Sequence, residues 1–408
     1  MTGGRHPGAG PAAQGSPGPL AGVLVADFSR VVAGPYATML LGDLGADVVK
    51  VERPGAGDDT RGFGPPFVEG ESSYFRAVNR NKRAVSWDLA SDEGRRLAFE
   101  LACRADVVVE NFRPGTAERL GIGYEDVAAR NARVVYCSVS AFGPSGRGAG
   151  LPGYDFLLQG VGGLMSITGD AEGEARKVGV AVVDVLTAQF ALAGILAALY
   201  ERERSGRGQK VEVNLLSSLL SALINQAATY VTTGRVPGRM GNRHPSIAPY
   251  ETLHASDRPF VVAVANDRQF AALASVLEVG SMADDDRFAT NAARVTNRDE
   301  LVRLLEEKLR VKPATAWIEE LQGSGIPCGL VNDVAEAFAL AEWCGLSPVV
   351  RLRPEGVEGA MADDADAFNQ VRNPLSFSRT PVSYRLAPPR QGEHSAEVTA
   401  ELHGERPA

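Results

Sequence analysis

The chain has 408 residues, more than one ordinary core, so two domains are expected. Apolar residues make up 44% and charged residues 23%, which excludes wholesale disorder. The net charge of −8 argues against a nucleic-acid partner, which would call for a basic excess, but leaves room for a local basic pocket.

Residues 1–20 are rich in Gly, Pro and Ala and lack the apolar core of a signal peptide, so a disordered tail is expected. Val-rich runs then alternate with helical patterns. Strands are expected at 22–28 (GVLVADF), 46–52 (ADVVKVE), 84–89 (AVSWDL), 106–110 (DVVVE) and 133–140 (RVVYCSVS). Helices are expected at 36–44, at 91–104 with Ser91 as N-cap, and at 125–131. Continuous apolar strands separated by helices imply a parallel sheet covered on both faces. Right-handed crossovers make it a doubly wound, Rossmann-like α/β domain. A further strand is expected at 178–183 (VGVAVV), followed at once by Asp184 and a long apolar helix over 185–204. Residues 211–226 read as a buried helix or a strand–helix piece.

After residue 230 the pattern changes. Two β runs (248–254, 260–266), helices at 268–277, 300–310 and 314–321, a strand-like IPCGLVN and the helix VAEAFALAEW describe a smaller α+β domain over 235–345. Residues 346–372 read as a linker, acidic and irregular from 353. The large domain then spans 21–230 and is completed by 373–408, with a short helix at 395–402. No internal repeat is present.

The four cysteines, Cys103, Cys137, Cys328 and Cys344, are widely spaced and form no CxxC pair. They read as free thiols of a reducing, cytoplasmic compartment. Five histidines without an HExxH motif give no metal signature. The most apolar stretch, 178–200, contains Asp184, Thr187 and Gln189 and reads as a buried unit, not a membrane span.

Common fingerprints fail. No Gly-Lys pair occurs, so there is no Walker A loop, and there is no GxSxG elbow. One GxGxxG, at Gly148, Gly150 and Gly153, lies several residues beyond a strand and contains Pro152, so it reads as a loop. Asp184 stands where a strand's carboxyl end meets a helix N-terminus, the place where doubly wound folds bind ligands. The helix start would orient a carboxylate and keep it ionised, although the same position also suits an ordinary cap. Basic residues gather in loops after strands, among them Arg53, Arg113 and Arg119, and could converge on a polyanion or merely face solvent. Asn111, Phe112 and Arg113 share one turn that would suit an adenine or simply turn the chain.

Together these segments resemble the family III CoA-transferases, the family of formyl-CoA and carnitine CoA-transferases that also holds α-methylacyl-CoA racemase. The resemblance runs from about Leu24 to Leu402. It rests on DFSRVVAGPYATMLLGDLGADVVKVERPGAGDDTRG, NRNKRAVSWDL, VVVENFRPGTAERLG, GYDFLLQGVGGLMSITG, VGVAVVDVLTAQFALAGILAALYERERSGRGQ, GNRHPSIAPYETL, VAVANDRQF, FSRTP and PPRQGEH, in that order. It implies that the family's nucleophilic aspartate falls on Asp184, at the family's spacing from Tyr154. CoA contacts would fall on Val32, Ala33, Arg53, Trp87, Asp88, Leu89, Ala90, Asn111, Phe112, Arg113, Arg119, Leu151, Pro152, Gly153 and Tyr154. Tyr74 would be an active-site tyrosine and Gly241 would lie at the substrate. An interlocked homodimer is implied, with an acyl-CoA and a carboxylic acid as partners and no other cofactor.

The racemase branch carries His where this chain has Tyr154. A phenol, with an ordinary pKa of ~10, is a poor partner for α-proton exchange at neutral pH. The formyl-CoA branch carries Gln at the position of Val32 and a glycine run where this chain has only Gly241. The expected activity is therefore CoA transfer between carboxylic acids through an aspartyl-CoA intermediate, and the resemblance of GNRHPSIAPY to transferases that use succinyl-CoA implies that or another dicarboxylic acyl-CoA as donor. A 2-methylacyl-CoA racemase and a non-catalytic CoA-binding protein are the alternatives.

Overall fold

The computed structural model describes residues 18–68, 70–353 and 368–404. The expected tail therefore lies almost wholly outside the described residues, as does most of the acidic stretch. Two units separate: Met1–Gly162 with Val178–Ala228 and Ser347–Ala408, and Gly163–Lys177 with Thr229–Leu346.

The large unit is built on six parallel strands: β1 (Leu24–Asp27), β2 (Asp47–Glu52), β3 (Lys82–Ser86), β4 (Val107–Glu110), β5 (Val135–Ser140) and β6 (Lys210–Asn214). Their order across the sheet is β3-β2-β1-β4-β5-β6, so direction of travel reverses between β1 and β4. Val25, Ala26, Val48, Val49, Ala84, Val85 and Val107 to Val109 are all fully buried, as a sheet covered on both faces requires. The helices that matter for the site are α1 (Ala33–Asp43), α2 (Asp92–Arg104), α3 (Asp155–Val161), α4 (Val182–Ser205), α5 (Leu215–Ala222) and α6 (Ser395–His403). Leu97 and Leu101 of α2 and Val398 and Leu402 of α6 join one core with Ala26, Val49 and Val108. The cap expected at Ser91 forms, its Oγ accepting from Gly94 N–H at 3.0 Å. By length and composition α4 could cross a membrane, but it packs against β5 and β6 with Ala188, Ala191 and Ile195 fully buried.

Two expectations change. Residues 178–183 form no strand. The Gln159 amide takes both Val178 N–H (2.8 Å) and Val180 C=O (3.2 Å), and α4 begins at Val182, so these backbone groups are committed before any ladder could use them. The sixth strand is instead Lys210–Asn214, the strand–helix option for that segment. The stretch expected as a linker, 346–372, carries paired antiparallel strands at its two ends, Val349–Leu352 and Phe368–Val371. Val350 and Leu352 bury against Tyr384, which ties both strands into the large unit.

The small unit has an antiparallel sheet in the order Cys328–Leu330, Pro259–Ala263, Tyr250–His254. Helices Asp267–Val276, Arg298–Leu309 and Ala314–Gly323 bury Phe270, Leu273, Leu301, Leu305, Trp317 and Leu321 against it. Residues 163–177 group with this unit, not with the large one.

Beneath the loops of the large sheet lies a buried ionic network. Lys82 Nζ donates to Asp27 (3.1 Å), Asn79 (2.9 Å) and Pro35 C=O (2.8 Å). Lys50 pairs with Asp58 at 2.8 Å and donates to Ser29 C=O at 2.9 Å. Burial works against the charge on Asp27, but the ammonium groups of Lys82 and Lys50 overcome it and hold the carboxyl below the usual range. Removing one partner of such a pair leaves an uncompensated buried charge. Lys82→Ala should therefore cost about 3–5 kcal/mol of folding stability. Urea unfolding measures this, and a loss under 1 kcal/mol would contradict it.

Candidate active site

The chain leaves β1 through Ser29, Arg30 and Val31 and enters α1. Val31 has φ 69°, a left-handed conformation costly for a β-branched residue. Two neighbours hold it there. The Asp58 carboxylate accepts Val31 N–H at 3.3 Å, and the Asn111 amide brackets Arg30, accepting its N–H at 2.9 Å and donating to its C=O at 2.8 Å. Asn111, considered above for adenine, thus uses its amide to fix the β1–α1 turn from the end of β4.

This turn and the loops after β4 and β5 enclose a cavity of about 170 Å³ outside the strand carboxyl ends, where the strand order reverses. Val32, Ala33, Asn111, Phe112, Arg113, Leu151, Pro152, Gly153, Tyr154 and Asp184 all line it. Ten of the expected residues, scattered from position 32 to 184, therefore share one wall.

Asp184 is half-buried in the first turn of α4. Its carboxylate accepts no hydrogen bond and forms no ion pair among the described residues. The cap of α4 is a different carboxylate: Asp155 Oδ1 accepts Val183 N–H at 2.7 Å and Asp184 N–H at 3.3 Å, while Oδ2 accepts from Gln159 at 2.6 Å. Burial, and then the charge of Asp155, push the Asp184 carboxyl up to about 7. The expectation that the helix start keeps Asp184 ionised is reversed, because burial, and then the Asp155 carboxylate that occupies the helix N–H groups, outweigh it.

A second cavity, about 250 Å³, contains Arg53, Asp88, Leu89, Ala90 and Leu120, and shares Arg30 and Phe112 with the first. Trp87 packs in the core and lines neither of these two cavities, but a separate one that it shares with Asp88 and Ser91. Arg119 also lines neither of the first two; it is exposed and donates to Thr116 Oγ1 at 3.3 Å. Tyr74 packs edge-on against Phe63, with ring centroids 5.9 Å apart. Burial raises its hydroxyl pKa, and the charges of Asp184 and Asp155 raise it further, which puts Tyr74 within electrostatic reach of the site. Gly241 belongs to the small unit, and its N–H donates to Gly169 C=O at 3.0 Å, so that donor is committed. Sequence reasoning missed Asp155, Gln159 and Arg30. The i, i+4 pairing of Asp155 and Gln159 was a visible signal, but nothing in the sequence said that both reach back to residues 178–184. Among the described residues, no three His, Cys, Asp or Glu side chains converge as metal ligands.

Residues 20–395 match the CoA-transferase family III. The chain is 40% identical over 390 residues to a succinate–glutarate CoA-transferase of Agrobacterium fabrum, covering 94% of this chain and 96% of that one. It is 39% identical to a succinyl-CoA:mesaconate CoA-transferase of Haloarcula hispanica, with the same coverage of both chains. A crystal structure of a CAIB/BAIF family protein from Brucella suis aligns with TM-score 0.81 and 42% identity, covering 95% of this chain and 100% of that one.

The raised Asp184 pKa fixes two signs. The fold favours the neutral carboxyl, so its contribution to stability is full below about 3.8 and is lost as pH rises through about 7. Asp184→Asn should therefore raise Tm relative to the parent protein more at pH 8 than at pH 5; an equal shift at both would contradict the assignment. The ionised fraction rises through the same range. Asp155→Asn keeps a capping oxygen but removes the like charge, so the inflection in a pH–rate profile should move to lower pH.

Proposed function

The chain belongs to CoA-transferase family III, and we propose that it moves CoA from a dicarboxylic acyl-CoA such as succinyl-CoA to a second carboxylic acid through covalent intermediates on Asp184. The observation that carries this reading is an unpartnered, half-buried carboxylate facing a cavity at the switch point of a doubly wound sheet. A pKa near 7 makes Asp184 a more basic nucleophile than an exposed aspartate while leaving an ionised fraction at neutral pH.

Asp184 attacks the thioester carbonyl, the C–S bond breaks, and CoA leaves as thiolate, giving a mixed anhydride of Asp184 and the donor acid. The thiolate then attacks the aspartyl carbonyl and releases the donor acid, giving an aspartyl-CoA thioester. An acceptor carboxylate attacks that thioester and expels the thiolate, forming a second anhydride. The thiolate takes the new acyl group and restores Asp184. Holding the thiolate through its nucleotide end makes each return step effectively unimolecular. The amides that start α4 are committed to Asp155. The N–H groups of Val32 and Ala33, at the start of α1 and on the cavity wall, have no acceptor among the described residues and are the donors assigned to the developing oxyanions.

The large unit is the CoA-binding domain in this reading, and the enzyme works as an interlocked homodimer in the cytoplasm. Exposed apolar side chains support a second copy: Phe156, Val161 and Tyr200 on the large unit, and Trp343, 84% exposed, on the small one. Four free thiols support a reducing compartment. The glutarate and mesaconate named for the relatives support a dicarboxylic acceptor.

With succinyl-CoA, hydroxylamine or borohydride should trap the enzyme at Asp184, and Asp184→Ala should lose at least about 10⁴-fold in turnover. An adduct at another residue, or retained turnover, sinks the mechanism. Sedimentation at micromolar concentration should give a dimer; a monomer with full activity rejects the dimer reading.

A further inference from the structure

Where the two cavities meet, three side chains form one ionic cluster. Asp59 Oδ2 accepts from Arg30 Nη1 at 3.1 Å, and its Oδ1 accepts from Arg53 Nη2 at 2.7 Å. Arg30 lines both cavities, Asp59 the first and Arg53 the second. The other charges nearby are matched from below: Lys50 pairs with Asp58 at 2.8 Å, and Glu52 with Arg61 at 2.7 Å. Arg30 and Arg53 are neutralised by one shared carboxylate, one oxygen to each guanidinium.

The backbone under this cluster is held by hydrogen bonds, while the guanidinium ends above it stay part-exposed. Asn111 brackets Arg30, and Asp58 holds Val31. Arg53 donates from Nε to Gly57 C=O at 3.2 Å, and its own C=O accepts from Gln391 at 2.8 Å. The side chains of Arg30 and Arg53 are 43% and 53% exposed, so exchanging one anionic partner for another requires little desolvation. Guanidinium groups take phosphate oxygens in the same forked geometry as carboxylate.

We propose that Asp59 is an internal stand-in for the diphosphate of a CoA ester, which displaces it from Arg30 and Arg53 on binding. The proposal rests on the CoA-ester reading of the two cavities. With the nucleotide end in the second cavity and the thioester facing Asp184 in the first, the part of the ligand crossing the join is the diphosphate. Arg30 and Asp59 then set how strongly a nucleotide-bearing thioester is preferred over a bare pantetheine thioester. No bond is made or broken. The far carboxylate of the acyl group is the competing anion for Arg30, but it would not reach Arg53 in the second cavity.

Calorimetric titration of the full chain with CoA and, separately, with pantetheine tests this. Asp59→Asn should tighten CoA binding about 3- to 10-fold, the scale of two part-exposed ion pairs, and leave pantetheine unchanged. Arg30→Gln should weaken CoA about 10- to 100-fold and pantetheine less than 2-fold, as expected for a charge-assisted contact to phosphate. Thermal unfolding of both variants checks that they fold, and Asp59→Asn, nearly isosteric and partly exposed, keeps the test decisive if Arg30→Gln does not. Weaker CoA binding by Asp59→Asn, or equal effects on CoA and pantetheine, would overturn the proposal while leaving the transferase reading intact. A parent protein that binds no CoA at all would overturn both.

Discussion

One carboxylate, that of Asp155, decides where α4 begins and what Asp184 is. Its Oδ1 gathers the N–H groups of Val183 and Asp184, and its Oδ2 is held by Gln159, which also ties down Val178 and Val180. The helix cannot start earlier or later without leaving these groups unpaired. Asp184 is thereby aimed at the cavity with nothing of its own to bind. The same negative charge, added to burial, makes the Asp184 carboxylate costly to ionise. The position comes from this interaction and the proton affinity from burial with the Asp155 charge added, so a neutral capping group would lower the proton affinity without moving the helix start.

The turn on the facing wall depends on charges buried beneath it. Asp27, Lys50, Glu52 and Lys82 sit on three adjacent strands and are almost wholly inaccessible. Isolated, each would carry a large desolvation penalty; paired, they become fixed anchors. Lys50 holds Asp58, and Asp58 in turn holds Val31 N–H and the Thr60 turn. Burial pushes the Asp58 carboxyl up, but Lys50 and the Thr60 N–H and hydroxyl bring it down to about 2, so this anchor persists across the neutral range in which Asp184 titrates.

That anchoring explains how a valine survives at φ 69°. Such a conformation costs about 1–3 kcal/mol and persists only where neighbours over-determine it. Here Asp58 and Asn111 do so from two directions. The bend directs Val32 and Ala33 into the cavity and leaves Arg30 at the join of the two cavities. Strain, cap and buried pairs are thus parts of one arrangement around the switch point of the sheet.

The sequence by itself determined the parallel sheet, because Val-rich runs such as DVVVE and ADVVKVE have no solvated face and can only be buried on both sides. It also determined that position 184 carries a carboxylate at a helix start, that Ser91 caps a helix, and which motifs in which order mark the family. It could not determine that residues 178–183 forgo a strand, since their β-branched pattern matches one and only the amide of Gln159 removes the backbone groups. Nor could it reveal that the N–H donor of Gly241 is taken by Gly169, that Trp87 packs in the core, or that Asn111, on the cavity wall, also braces Arg30. Local pattern reports burial and backbone preference, both properties of neighbouring residues. Which polar group satisfies which partner is settled between segments tens of residues apart, and that is where the ionisation of Asp184 and the sharing of Asp59 between two arginines were decided.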